Sequence, residues 1–252
     1  MKPILKLGGT MKRLFIAAFS MLSFAALSFA GDAAAFTDIG FSKDGSTYIF
    51  GEYGKTDKSF QAYAEIYVVD VAKNDYVSGG VFKTQPSPAT TGVSGRNAYD
   101  SLLKSAGSKI KGYGCIPSAP ENLLYIRNFS GGKISKPTEG ASSDRIVFQD
   151  FERSTDDTDV YFKIQLKQTV TGKGKNVSSS YYIDLRMEDQ HGKTLGSWKV
   201  GNPTYQRKGV SSYQIERIFT DPSGKSLVFL VQKTVEDETG TSIRYMVETV
   251  RL

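Results

Sequence analysis

The chain holds 252 residues, with 32 Lys and Arg against 26 Asp and Glu, one His, one Cys and aromatic residues at 12%. That content is too rich for disorder, and the length allows one or two domains with a buried core. One Cys and one His exclude an internal disulfide framework, Cys-rich zinc sites, iron–sulfur clusters and any site that needs two imidazoles.

The first element in chain order is a leader. Lys12 and Arg13 precede an apolar run from Leu14 to Phe29 that closes on Ser28-Phe29-Ala30, the charged, apolar and small-residue order of a secretory signal peptide. The run has about 16 residues, short of the roughly 20 that span a bilayer. Residues 1–30 are therefore expected to be a signal peptide and residues 31–252 a single exported domain with no membrane span after cleavage. Transport across the inner membrane would leave it periplasmic. The leader is complete from Met11, and no Cys stands near the cleavage position to carry a lipid. Residues 1–30 hold four basic residues and no acid, so processing lowers the net charge from +6 to +2. The basic excess that would favour nucleic acid is largely lost, and no nucleic-acid partner is expected.

From residue 36 onward, short runs alternate apolar and polar residues between Gly, Asn, Asp and Ser, the period of half-buried strands. Strands are predicted at 36–41, 47–53, 64–71, 76–82, 123–128, 145–151, 160–170, 179–188, 194–200, 213–219, 227–235 and 243–250. Residues 97–110, NAYDSLLKSAGSKI, instead space Tyr99, Leu102, Leu103, Ala106 and Ile110 by three and four, which predicts one short helix in a connection. A Pro-containing loop precedes it, and a polar insert runs from Ser130 to Ser143. The expected fold is all-β and antiparallel, propeller-like or built of packed sheets, with sub-units at 36–83, 120–202 and 205–252.

Two hairpin units look alike. Ile39 to Phe50 reads IGFSKDGSTYIF and Arg217 to Phe229 reads RIFTDPSGKSLVF. Each places a Phe, then Ser or Thr, then a turn ending in Gly, then an apolar strand. Asp44 with Gly45, and Ser223 with Gly224, are the expected structural turns, where Gly supplies a backbone angle that other residues resist. Both units resemble the WD-like blade repeats of periplasmic Tol-type β-propellers, the first more closely because AEIYVVDV follows from Ala64. Over nearly the whole mature chain, the order Phe41-Ser42-x-Asp44-Gly45, AEIYVVDVAKNDYVSGGVF, YQRKGVSSYQIERIF and SGKSLVFLVQKT resembles a family of predicted secreted bacterial proteins, a domain of unknown function. That resemblance implies export and a shared fold, and carries no activity, cofactor or catalytic residue.

No catalytic, cofactor-binding or metal-binding residue is nominated. His191, in Asp189-Gln190-His191-Gly192, reads as a hairpin turn. Cys115 has no local partner that would make it a nucleophile. Asp156-Asp157-Thr158-Asp159 lacks the Gly and the bidentate Glu of a calcium loop, and Gly172-Lys173-Gly174-Lys175 lacks the spacing of a phosphate-binding loop. Tyr53, Phe60 and Tyr63 cluster around EYGKTDKSFQAY and form the candidate binding surface, since Tyr rings beside polar groups commonly hold sugars, peptides or proteins. The same rings also suit cross-strand packing. The expected role is a non-catalytic binding or scaffold protein whose partner is an envelope protein or a glycan. The alternative is a carbohydrate-active or other carboxylate-based hydrolase on a β scaffold.

Overall fold

Period-two sequences of this kind build sheets with one or both faces covered, and the computed structural model contains three of them. It describes residues 32–127, 140–237 and 240–252. The expected leader, residues 1–30, and most of the polar insert lie outside the described residues.

The first sheet is an antiparallel meander of β1 (Ala35–Phe41), β2 (Thr47–Lys55), β3 (Ala62–Asp70) and β4 (Asp75–Thr84). The helix α1 (Gly95–Gly112) follows, and Ser94 caps it by accepting the Asn97 N–H at 3.1 Å. Such a cap satisfies one of the free donors at a helix start, and Lys109 and Lys111 in the last turn suit the negative end of the helix dipole. Its buried stripe, Ala98, Tyr99, Leu102, Ala106 and Ile110, packs on Ile49, Ala64, Ile66 and Val68 of the first sheet.

The chain continues through β5 (Leu123–Ile126), β6 (Gly140–Gln149), β7 (Val160–Thr171), β8 (Ser178–Asp189), β9 (Thr194–Val200) and β10 (Arg207–Lys208). It ends with β11 (Val210–Thr220), β12 (Ser226–Asp237) and β13 (Gly240–Arg251). The second sheet runs β6, β7, β8, with β9 and β10 both pairing with β8; the third runs β13, β12, β11, β5. All pairings within the sheets are antiparallel.

The third sheet lies between the other two. Leu227, Phe229 and Val231 of β12 meet Ile164, Ile183 and Leu185 of the second sheet, while Val228 and Leu230 meet Tyr48, Phe50 and Val69 of the first. A strand covered on both faces has no reason to alternate, and the unbroken apolar run Leu227–Val231 reflects that. The architecture is thus one of packed antiparallel sheets with one helix.

Each of the twelve predicted strands coincides with an observed one, with ends moved by a few residues, and the predicted helix is extended at both ends. The two-residue β10 has no period to read. The pairing cuts across the sub-units drawn from sequence. β5, grouped there with residues 120–202, pairs with β11 through Ile126 and Arg217, Tyr125 and Ile218, and Leu123 and Phe219. β10, grouped with residues 205–252, pairs with β8 through Arg207 and Ser179. Sheet membership follows from long-range pairing, which a linear division of the chain does not contain.

Candidate functional site

A cleft of about 670 Å³ opens where the three sheets meet, within the range typical of small-molecule sites. Asn74 and Tyr76 from the first sheet, Tyr205 and Arg207 beside the second, and Lys233 and Glu248 from the third line it.

The connection from β3 to β4 places Asn74. The residue sits at φ +53°, a left-handed conformation that Asn tolerates better than most residues. Its Oδ1 accepts the Thr249 N–H at 2.6 Å and its Nδ2 donates to Glu248 Oε2. Thr249 Oγ1 donates to the Val71 carbonyl at 2.9 Å. The turn of the first sheet is therefore pinned onto β13.

Glu248 is buried at 5% exposure. Besides Asn74, it receives the Tyr181 hydroxyl at 2.7 Å, so its carboxylate is held from both neighbouring sheets. Burying a charge without such partners would be costly. Gly201 makes room for it: at φ +86°, a Cβ there would lie 3.2 Å from the Glu248 carboxyl, so both backbone angle and space favour glycine.

Arg207 stands among aromatic rings, 4.9 Å from the centroid of Tyr181, 4.8 Å from Tyr205 and 5.8 Å from Tyr213. Such distances allow cation–π attraction. Its Nη2 is 3.8 Å from Glu248 Oε1, and its Nη1 is buried without a hydrogen-bond partner among the described residues. Burial lowers the pKa of Lys233 from the usual lysine range, against the pull of Glu52 and Glu65. At the rim, Tyr205 is 59% exposed and Tyr76 is 42% exposed, with the Tyr76 ring stacked 5.1 Å from that of Tyr67. The arrangement offers cationic donors below and open aromatic rings above.

The residues singled out from sequence lie elsewhere. Tyr53 faces α1, its ring 5.2 Å from Tyr99 and 5.9 Å from the Arg96 guanidinium. Tyr63 is buried toward the third sheet, where its hydroxyl donates to Asp32 Oδ1 at 2.9 Å and Arg244 lies 4.3 Å from its ring centre. Phe60 projects from the connection between them, 64% exposed and at φ +52°. The three rings are spread over two faces of the sheet and a turn, because successive strand residues point to opposite sides.

Both predicted turns bend the chain at a left-handed Gly, Gly45 at φ +70° and Gly224 at φ +67°. Their hydrogen bonds correspond. Gly45 N–H donates to the Ser42 carbonyl and Gly224 N–H to the Asp221 carbonyl, each at 2.9 Å. Ser42 Oγ accepts the Thr47 N–H at 3.0 Å, and Asp221 Oδ1 accepts the Ser226 N–H at 2.6 Å. Asp44 Oδ1 accepts from Ser42 Oγ and from Ser46 N–H, and Ser223 N–H donates to Asp221 Oδ2 at 3.1 Å.

His191 is exposed in the connection between β8 and β9, where Asp189 Oδ1 accepts the N–H groups of His191 and Lys193 at 2.9 Å each. Cys115 packs half-buried beside the helix cluster, and burial pushes its thiol up to about 11. Asp159 Oδ1 accepts from Gln149 Nε2 at 2.8 Å. Among the described residues no group of three His, Cys, Asp or Glu is placed to hold a metal ion, and no helix is long and apolar enough to cross a membrane.

Sequence reasoning missed the residues of the cleft. Tyr205-Gln206-Arg207-Lys208 was the one legible signal, a basic and aromatic cluster without strand period. Asn74, Lys233 and Glu248 have the look of ordinary turn and strand positions. A family model described as predicted secreted protein (DUF2259) matches residues 49–251, which includes every element of the cleft. The chain belongs to that family. DUF2259 membership supports export and names no activity. No curated protein and no solved structure matches the chain.

Proposed function

We propose that residues 1–30 direct export to the periplasm, and that residues 31–252 act there as a non-catalytic binding module whose ligand occupies the three-sheet cleft. The observation that carries this reading is the cleft itself: about 670 Å³, with open tyrosine rings at its rim and cationic groups within it. A concave site with a few convergent polar groups is where ligands are ordinarily held. The partner is a glycan or an envelope protein of the same cell.

The hydrolase reading has one observation in its favour, because Asp75 and Glu248 both line the cleft. Both carboxylates have structural work: Asp75 Oδ1 accepts the Tyr76 N–H at 2.7 Å, and Glu248 joins the sheets through Asn74 and Tyr181. Protein recovered from the envelope after export is to be screened on glycan and peptide arrays beside Tyr205→Ala and Tyr76→Ala. Binding that both variants weaken without a change in melting temperature supports the proposal. Ligand capture indifferent to both variants would place the site elsewhere, and turnover of an array member that Glu248→Gln abolishes would favour the hydrolase.

A further inference from the structure

The donors of the cleft narrow its ligand, on the footing of the binding reading above. The Lys233 side chain makes no hydrogen bond or close ion pair among the described residues although it is half-buried, and only the longer-range pull of Glu52 and Glu65 acts on it. Among the described residues Arg207 keeps Nη1 unpartnered, and its Nη2 stands 3.8 Å from Glu248 Oε1. Other sheltered arginines are treated differently: Arg153 holds Asp150 at 2.7 Å and Arg244 holds Asp32 at 2.5 Å. Sheltered cations are ordinarily paired, so Arg207 is short of an acceptor and Lys233 lacks one in direct contact. Glu248, which already accepts from Tyr181 and Asn74, stands 3.8 Å from Arg207 Nη2, beyond hydrogen-bond reach.

Among the lining residues, Arg207, Lys208 and Lys233 outnumber the acids Asp75 and Glu248, while Glu52 and Glu65 act on Lys233 from beyond the lining. A guanidinium beside an ammonium suits an anion whose oxygens take two N–H donors of an arginine in one plane, as those of a carboxylate do. Above them, Tyr205 shows an open ring whose position is steadied by the guanidinium 4.8 Å from its centroid. An exposed tyrosine ring with a polar tip suits a ligand that is apolar on its face and hydroxylated at its edge, as a pyranose ring is.

We infer that the cleft takes a carboxylate-bearing saccharide, with its carboxylate between Arg207 and Lys233 and a sugar ring against Tyr205. Neutral saccharides of the same shape bind more weakly, because they offer no charged acceptor to Arg207 Nη1 and Lys233.

The test is calorimetric titration of the exported protein with trigalacturonate, with its fully methyl-esterified form, with glucose 6-phosphate and with a tripeptide bearing a free C-terminus. Amide NMR shifts locate each binding event. Trigalacturonate is expected to bind at least tenfold more tightly than its ester, and to shift residues around Tyr76 and Tyr205. Lys233→Met should lower that affinity at least tenfold and narrow the gap between acid and ester; Arg207→Lys, which keeps the charge but loses the fork, should weaken it less. Equal affinity for acid and ester, located in the cleft, would overturn the carboxylate and leave the binding site standing. Preference for glucose 6-phosphate or the tripeptide would overturn the ligand class. Shifts confined to another surface would overturn both the ligand and the site, and absence of binding to trigalacturonate would overturn the inference.

Discussion

A Cβ built on Gly45 would stand 2.7 Å from Asp221 Oδ2, so the turn between β1 and β2 rests directly on the turn between β11 and β12. Asp221 is buried at 2% exposure and its carboxylate holds the N–H groups of Ser223 and Ser226.

The first prediction follows from that contact. Gly45→Val combines a left-handed backbone angle with displacement of a carboxylate that has its own partners, and should lower stability by about 2–4 kcal/mol. Gly224→Val meets only Glu152 Oε2, at 3.3 Å, and should cost about 1–2 kcal/mol, mainly through backbone strain. Urea denaturation of both variants gives the order, and a larger loss for Gly224→Val would contradict the packing of the turns.

Phe41 and Phe219 flank one buried ring. The Tyr48 centroid lies 4.8 Å from that of Phe41 and 6.3 Å from that of Phe219, and the two phenylalanines are 2% and 4% exposed. Truncating either to Ala should cost about 3–5 kcal/mol through lost burial and a cavity. Because both line the same cluster, the double variant should depart from the sum of the single losses, which a double-mutant cycle in denaturant measures.

Glu52 makes stability depend on pH. It lies on β2 at 2% exposure and accepts the Tyr245 N–H at 2.7 Å. Burial raises its carboxyl from 4.5 to about 7; Lys233 and Arg244 oppose the shift and Glu65 adds to it. The folded state thus keeps the proton to a higher pH than the unfolded chain does. Stability is fullest below about 4.5 and falls as pH rises through 7, by about 3 kcal/mol in all. Asp44, held at about 2 by Ser42 and Ser46, changes stability only in more acid solution. Urea midpoints between pH 5 and 8 should decline for the native chain and stay level for Glu52→Gln, and equal slopes would rule out this assignment.

Cys115 should react slowly in the folded state. With its thiol raised to about 11, little thiolate exists near pH 8, and the thiolate is the nucleophile. Alkylation by iodoacetamide at that pH should accelerate at least tenfold on unfolding in urea. Cys115→Ser should cost about 1 kcal/mol through loss of a partly buried apolar group, which urea denaturation measures, and His191→Ala should leave binding unchanged, which titration with trigalacturonate measures.

What the chain declares by itself is local. Strand period, helical spacing in NAYDSLLKSAGSKI and Gly-ended turns at Gly45 and Gly224 depend on residues within a few positions of one another, and they are legible because backbone angles and side-chain direction are set at that range. The unbroken run Leu227–Val231 marks a strand without disclosing that two different sheets cover it. Tertiary structure alone decided that β5 joins β11, that Tyr53 and Tyr63 point to opposite sides, and that Arg207, Lys233 and Glu248 share a cleft. The contact between Asn74 and Glu248 spans 174 positions. No periodicity encodes such a pairing, because it exists only once three sheets have buried their apolar faces against each other and brought their polar ends together.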